Sequence, residues 1–103
     1  MNKQDIKQAL QEIGIQSNAA AQKRWPKGNS YTLNDKLLHL HSEVSEVYDA
    51  HRKGNPPSEH LPNCDSVSEE LADVLILICG IAQEHNIPLG EIVIEKLKFN
   101  ATR

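Results

Sequence analysis

Two short acidic motifs carry most of the chemical content of this 103-residue chain. Glu43-Val44-Ser45-Glu46 and Glu70-Leu71-Ala72-Asp73 each hold two acids three positions apart, a spacing that puts both on one face of an α-helix. A helix turns about 100° per residue, so Glu70 and Asp73 should share a face with Val74, Leu77 and Ile81. These acids are expected to point toward the packed side. Glu43 borders an apolar seam of Leu37, Leu40, Val44 and Val47, and Glu46 lies one step further round. Carboxylates drawn together out of water repel one another and lose hydration, which a cation must offset. Ligands that offer only oxygen select magnesium, manganese or calcium over zinc. One such pair alone would read as an ordinary charged helix surface. Two pairs, one embedded in an apolar face, favour a site for a hard divalent cation over an ordinary charged surface.

Near the end of the chain, Lys96, Asn100 and Arg103 follow one another at i, i+4 and i+7. The periodicity predicts that they share a face with Leu89 and Ile92, leaving Glu91, Glu95, Lys98 and Thr102 to solvent. A point charge, a neutral amide and a planar fork together suit phosphate oxygens. The plainer reading is that long basic side chains at a helix C-terminus favour the dipole and lay their stems on apolar surface.

Four helices are needed to place these groups. The first is predicted from about Lys3 to Lys23, with Ile6, Leu10, Ile13, Ala20 and Ala21 on one side. Gly14 interrupts it, at a cost of about 1 kcal/mol in a helix interior, and Trp25-Pro26 and Gly28-Asn29 end it. The second runs from about Leu33 to His51, with Leu33, Leu37, Leu40, Val44 and Val47 as its packed seam, and Gly54-Asn55-Pro56-Pro57 stops it. The stretch to Asp65 reads as a loop. The third starts at Ser66, where Ser66 and Glu69 fit a capping box, and continues to about Glu84. Its run Val74 to Cys79 has the propensity of a strand, but the cap and the length favour helix. A helix apolar nearly all round must be covered on several sides, partly by another subunit. The fourth opens near Pro88 and runs to the C-terminus. Short connections make this an all-α bundle of about four helices, one domain over 1–103.

The ordered set Glu43-x-x-Glu46, Glu70-x-x-Asp73 within Glu69-Glu70-Leu71-Ala72-Asp73-Val74, and Lys96-x-x-x-Asn100-x-x-Arg103 resembles the MazG-like all-α nucleoside triphosphate pyrophosphohydrolases. The resemblance covers about Asn18 to Arg103, including the Trp25 region and the Glu59-His60-Leu61-Pro62 loop. It implies that Glu43, Glu46, Glu70 and Asp73 ligate magnesium, that Lys96 and Asn100 engage the nucleotide, and that the protein is a dimer or tetramer. The implied reaction is attack of water on the α-phosphorus of an NTP or dNTP, releasing the monophosphate and pyrophosphate. The metal would neutralise and position the triphosphate and make its bound water more acidic. Alternatively a carboxylate, Glu46 or its neighbour Glu43, takes the proton from water as general base. Those alternatives stay open in the sequence.

His39, one turn before Glu43, is placed to orient a carboxylate or touch substrate, or to be a partly exposed structural histidine. Trp25 and Tyr31 have the chemistry to stack on a base, yet a lone aromatic at a helix end is more often core. His41, His51, His60 and His85 have no telling spacing. A phosphoribosyl-ATP pyrophosphohydrolase shares similar acidic motifs, though the Lys-Asn-Arg ending fits the MazG-like proteins better. A di-iron carboxylate bundle needs Glu-x-x-His pairs, and none of the five histidines has an acid three residues before it. A helical dimerisation module that binds nucleotide without turnover would have the same composition.

The formal net charge of −3, from 11 basic and 14 acidic residues, argues against a nucleic-acid backbone as partner. It is compatible with a metal-bridged triphosphate. Cys64 and Cys79 form neither a CxxC pair nor a zinc spacing and read as incidental reduced thiols. Met1-Asn2-Lys3-Gln4-Asp5 lacks the apolar stretch of a signal peptide, and Val74 to Cys79 falls far short of the roughly 20 residues that cross a bilayer. A cytoplasmic protein without membrane contact is the expectation.

Overall fold

The computed structural model describes residues 2–103. Among them are four α-helices and no strand: α1 (Lys3–Arg24), α2 (Leu33–Arg52), α3 (Ser66–Glu84) and α4 (Leu89–Ala101). The all-α expectation holds, with helix ends displaced by a residue or two. None of these helices is long and apolar enough to cross a membrane.

The chain forms two compact units, Met1–Asn29 with Cys79–Arg103, and Ser30–Ile78. In the first, Asn2 caps α1 by accepting the Asp5 amide at 2.9 Å, and α1 then continues through Gly14. Gly14 is buried, and a Cβ there would lie 2.5 Å from the carbonyl oxygen of Cys79. The absent side chain lets α1 approach the end of α3, which outweighs the propensity loss. Gly90 does the same for α4, where a Cβ would lie 2.8 Å from the Cα of Lys7. A Lys7–Glu91 ion pair at 3.1 Å ties the same two helices. Cys79, Ile81, Ala82 and Ile94 are the buried apolar residues here.

This close approach corrects the expected face of α4. Gly90 and Ile94 are its buried residues, whereas Ile92 is 50% exposed. Lys96, Asn100 and Arg103, predicted to lie on the packed side with Leu89 and Ile92, are exposed. Pro88 occupies the N-cap position rather than the first turn, and α4 ends at Ala101 with Thr102 as C-cap.

In the second unit, Thr32 and Asp35 form a capping box at the start of α2. The seam predicted for α2 is only partly covered. Leu40 and Val47 are half-buried, while Leu37 and Val44 are 44% and 52% exposed. The connection to α3 is held by its own polar groups. Asn55, at φ 53°, donates its amide to Ala50 and accepts the Val67 amide on its side chain at 2.8 Å. Ser58 is 4% exposed, and its amide donates to the Cys64 carbonyl at 2.9 Å. The α3 cap also differs from expectation. Asp65, not Ser66, accepts the Ser68 amide at 2.7 Å. Ser66 donates its hydroxyl to the Pro56 carbonyl, and Glu69 turns to the loop instead of back to the cap.

Candidate metal centre

The second unit brings the two acidic motifs together. One carboxylate oxygen from each of Glu43, Glu46 and Glu70 lies within 4.8 Å of the others. The two helices supply them from the i, i+3 spacing of α2 and the first turns of α3. Glu43 and Glu70 are half-buried and Glu46 exposed. The Oε2 atom of Glu70 is buried without any hydrogen-bond partner. A carboxylate oxygen hidden from water with no donor is costly and calls for one. The electrostatics agree. Burial, then the Glu46, Asp73 and Glu43 charges, push the Glu70 carboxyl above the usual range. Burial and Glu46 push Glu43 up as well, partly offset by a hydrogen bond from His39.

These groups fit a hard cation. All donors are carboxylate oxygens, they converge from two helices, and one has no other partner. Asp73 stands beside this set rather than in the converging trio. It is exposed, and partial desolvation, Glu69 and Glu46 raise its carboxyl while His60 lowers it. His39 is bound to Glu43, with Nε2 2.9 Å from Oε1. The ring is itself exposed, and this carboxylate is the partner it contacts one turn along α2.

Lys96, Asn100 and Arg103 are built into the first unit. Lys96 Nζ and the Arg103 guanidinium lie 4.6 and 5.7 Å from the Phe99 ring centroid. Trp25, 42% exposed, carries the Arg24 guanidinium 5.2 Å from its ring centroid. A cavity of about 210 Å³, lined by Leu10, Cys79, Ala82 and Leu89 among others, also lies in the first unit and contains none of the four acids. Both cysteines are free thiols, Cys79 buried and Cys64 exposed.

Sequence reasoning missed one pairing. His60 Nδ1 lies 3.1 Å from Glu69 Oε2. The residues are nine positions apart and no helical period links them; only the folded loop 55–65 brings them together. The adjacency of Glu69 to Glu70 was the one visible hint. No family model, curated protein or solved structure matches the chain.

Proposed function

We propose that the protein is a magnesium-dependent nucleoside triphosphate pyrophosphohydrolase that yields the monophosphate and pyrophosphate. The observation that carries this reading is the convergence of Glu43, Glu46 and Glu70 around an orphaned, buried Glu70 oxygen. Its motif order, which resembles that of the MazG-like enzymes, supports the substrate class. Glu43, Glu46 and Glu70 would hold the cation, with Asp73 at its side. When bound, the cation neutralises the triphosphate and acidifies water. His39 fixes the Glu43 carboxylate in the orientation a ligand needs. We also propose that the chain self-associates as a dimer or tetramer, which the exposed apolar residues of α2 and α3 support.

Incubation with a panel of ribo- and deoxyribonucleoside triphosphates and magnesium tests the reaction. The expected products are monophosphate and pyrophosphate, and Glu70→Gln should remove most turnover. Diphosphate and orthophosphate would overturn the proposal. Tight nucleotide binding without turnover would favour a regulatory binding module instead.

A further inference from the structure

We propose that the cavity of the first unit is a binding site for a small neutral ring compound with an amide edge, an aromatic carboxamide or a lactam. The site is independent of the triphosphate reading. Residues of α1, the end of α3 and the start of α4 build it within Met1–Asn29 and Cys79–Arg103. Glu43, Glu46, Glu70 and Asp73 all belong to the second unit.

Size and depth set the body of the ligand. The cavity holds about 210 Å³. An apolar cavity of ~150 Å³ accommodates benzene, so this one admits a ring with a small substituent or two fused rings. Its most buried lining residues form the floor: Cys79 and Ala82 are 2% and 6% exposed, and Gly90 is buried beside them. Half-buried Leu10 and Leu89 are the walls. A floor of small residues under leucine walls leaves a flat apolar space. The sulfur of Cys79 favours an aromatic ring in it. Burial pushes the Cys79 thiol up, so it is a neutral soft contact and not a nucleophile.

The polar lining sets the edge and the charge. Gln11 and Gln83 bring side-chain amides to the cavity. Each amide has donors and an acceptor side by side, and an amide edge on the ligand answers both at once. The charges at the mouth are already matched. Lys7 and Glu91 pair at 3.1 Å, and Glu91 stands in the first turn of α4, where its carboxylate offsets the positive end of the helix dipole. An anion entering here would meet Glu91. A cation would meet Lys7 and that helix end. Either would lose water without gaining an unpaired partner charge, which selects a neutral ligand.

The experiment titrates the full chain with benzamide and follows its backbone amides by NMR. Benzoate and benzylamine serve as charged probes of similar shape. Benzamide should give saturable shifts centred on Leu10, Gln83, Leu89 and Gly90, and both charged probes should bind ~10-fold more weakly or not at all. Ala82→Leu fills the floor and should abolish the shifts. Gln83→Leu, at a half-buried position, keeps the volume and removes the amide, and should weaken benzamide ~10-fold; it tests the site even where Ala82→Leu does not fold. An absence of saturable shifts at these residues, equal binding of a charged probe, or full affinity in Gln83→Leu would overturn the proposal. Shifts of the same amides on diluting the free chain, with no response to benzamide, would overturn it too, because a second copy would then fill the cavity.

Discussion

Glu70 concentrates the chemistry at the scale of single residues. Its Oε2 is buried and unpartnered, and burial with neighbouring negative charge raises its carboxyl. A carboxyl raised in the folded state binds more protons there than in the unfolded chain, so its stability contribution is present at low pH and lost as pH rises. Glu43 and Asp73 shift the same way. The metal-free protein should therefore lose stability as pH rises from about 4.3, the ordinary glutamate value, through the raised values. Below that range the trend reverses. Asp35 and Asp65, lowered chiefly by hydrogen bonds from the Thr32 and Ser68 backbone amides, protonate and their capping is lost. Thermal melts across pH, without metal, should peak in weak acid. Glu70→Gln should raise neutral-pH stability by about 1 kcal/mol, a Tm gain of ~4–8 °C that fades toward pH 4. A gain equal at both ends of the range would remove the carboxylate from the explanation. The Glu70 environment was legible in the sequence because an acid sits among Val74, Leu77 and Ile81. The His60–Glu69 contact was not, because it depends on a loop closed by Ser58, Asn55 and Pro56 rather than on any period.

Among the elements, α3 was the most legible. Its span of Ser66–Glu84 matches expectation, since the upstream cap and a segment too long for a strand outweigh the strand propensity of Val74 to Cys79. Its cap was misassigned by one residue, because Ser66 finds the Pro56 carbonyl and leaves Asp65 to cap. The face of α4 was less readable, because glycine reads as a defect in a helix and as a virtue in a helix contact, whereas on α1 the predicted Ile6, Leu10, Ile13 and Ala21 are half-buried and only Ala20 is exposed. Gly14→Ala tests this. The propensity gain is about 1 kcal/mol, but a Cβ 2.5 Å from the Cys79 carbonyl forces backbone apart. Urea denaturation should show a net loss of about 1–2 kcal/mol, and a gain would mean that α1 has room to spare. For α2, the Thr32–Asp35 box predicts that Thr32→Ala costs about 1 kcal/mol in the same assay, with unchanged m-value.

The whole molecule leaves much apolar surface in water. Leu71, Leu75 and Ile76 on α3 are 54%, 44% and 43% exposed, and Leu37, Leu38, Val44 and Tyr48 on α2 are exposed as well. The nearly all-round apolar character of α3 was plain in the sequence. Exposure of the α2 seam was not, because periodicity says which residues share a face and not what covers that face. Light scattering at micromolar concentration should give the mass of a dimer or tetramer, and Leu75→Lys should shift it toward monomer. A wild-type monomer would contradict self-association.

The most direct measurement is the melting temperature of the wild-type chain and Glu70→Gln titrated with magnesium, with manganese and zinc alongside. A cation bound by the folded trio stabilises by mass action, about 2.7 kcal/mol at a hundredfold excess over Kd. The wild type should therefore melt progressively higher with magnesium or manganese, with no special preference for zinc, and Glu70→Gln should lose most of the response. A wild-type melt that magnesium does not move, or an equal rise in Glu70→Gln, would contradict the metal centre on which the proposed reaction depends.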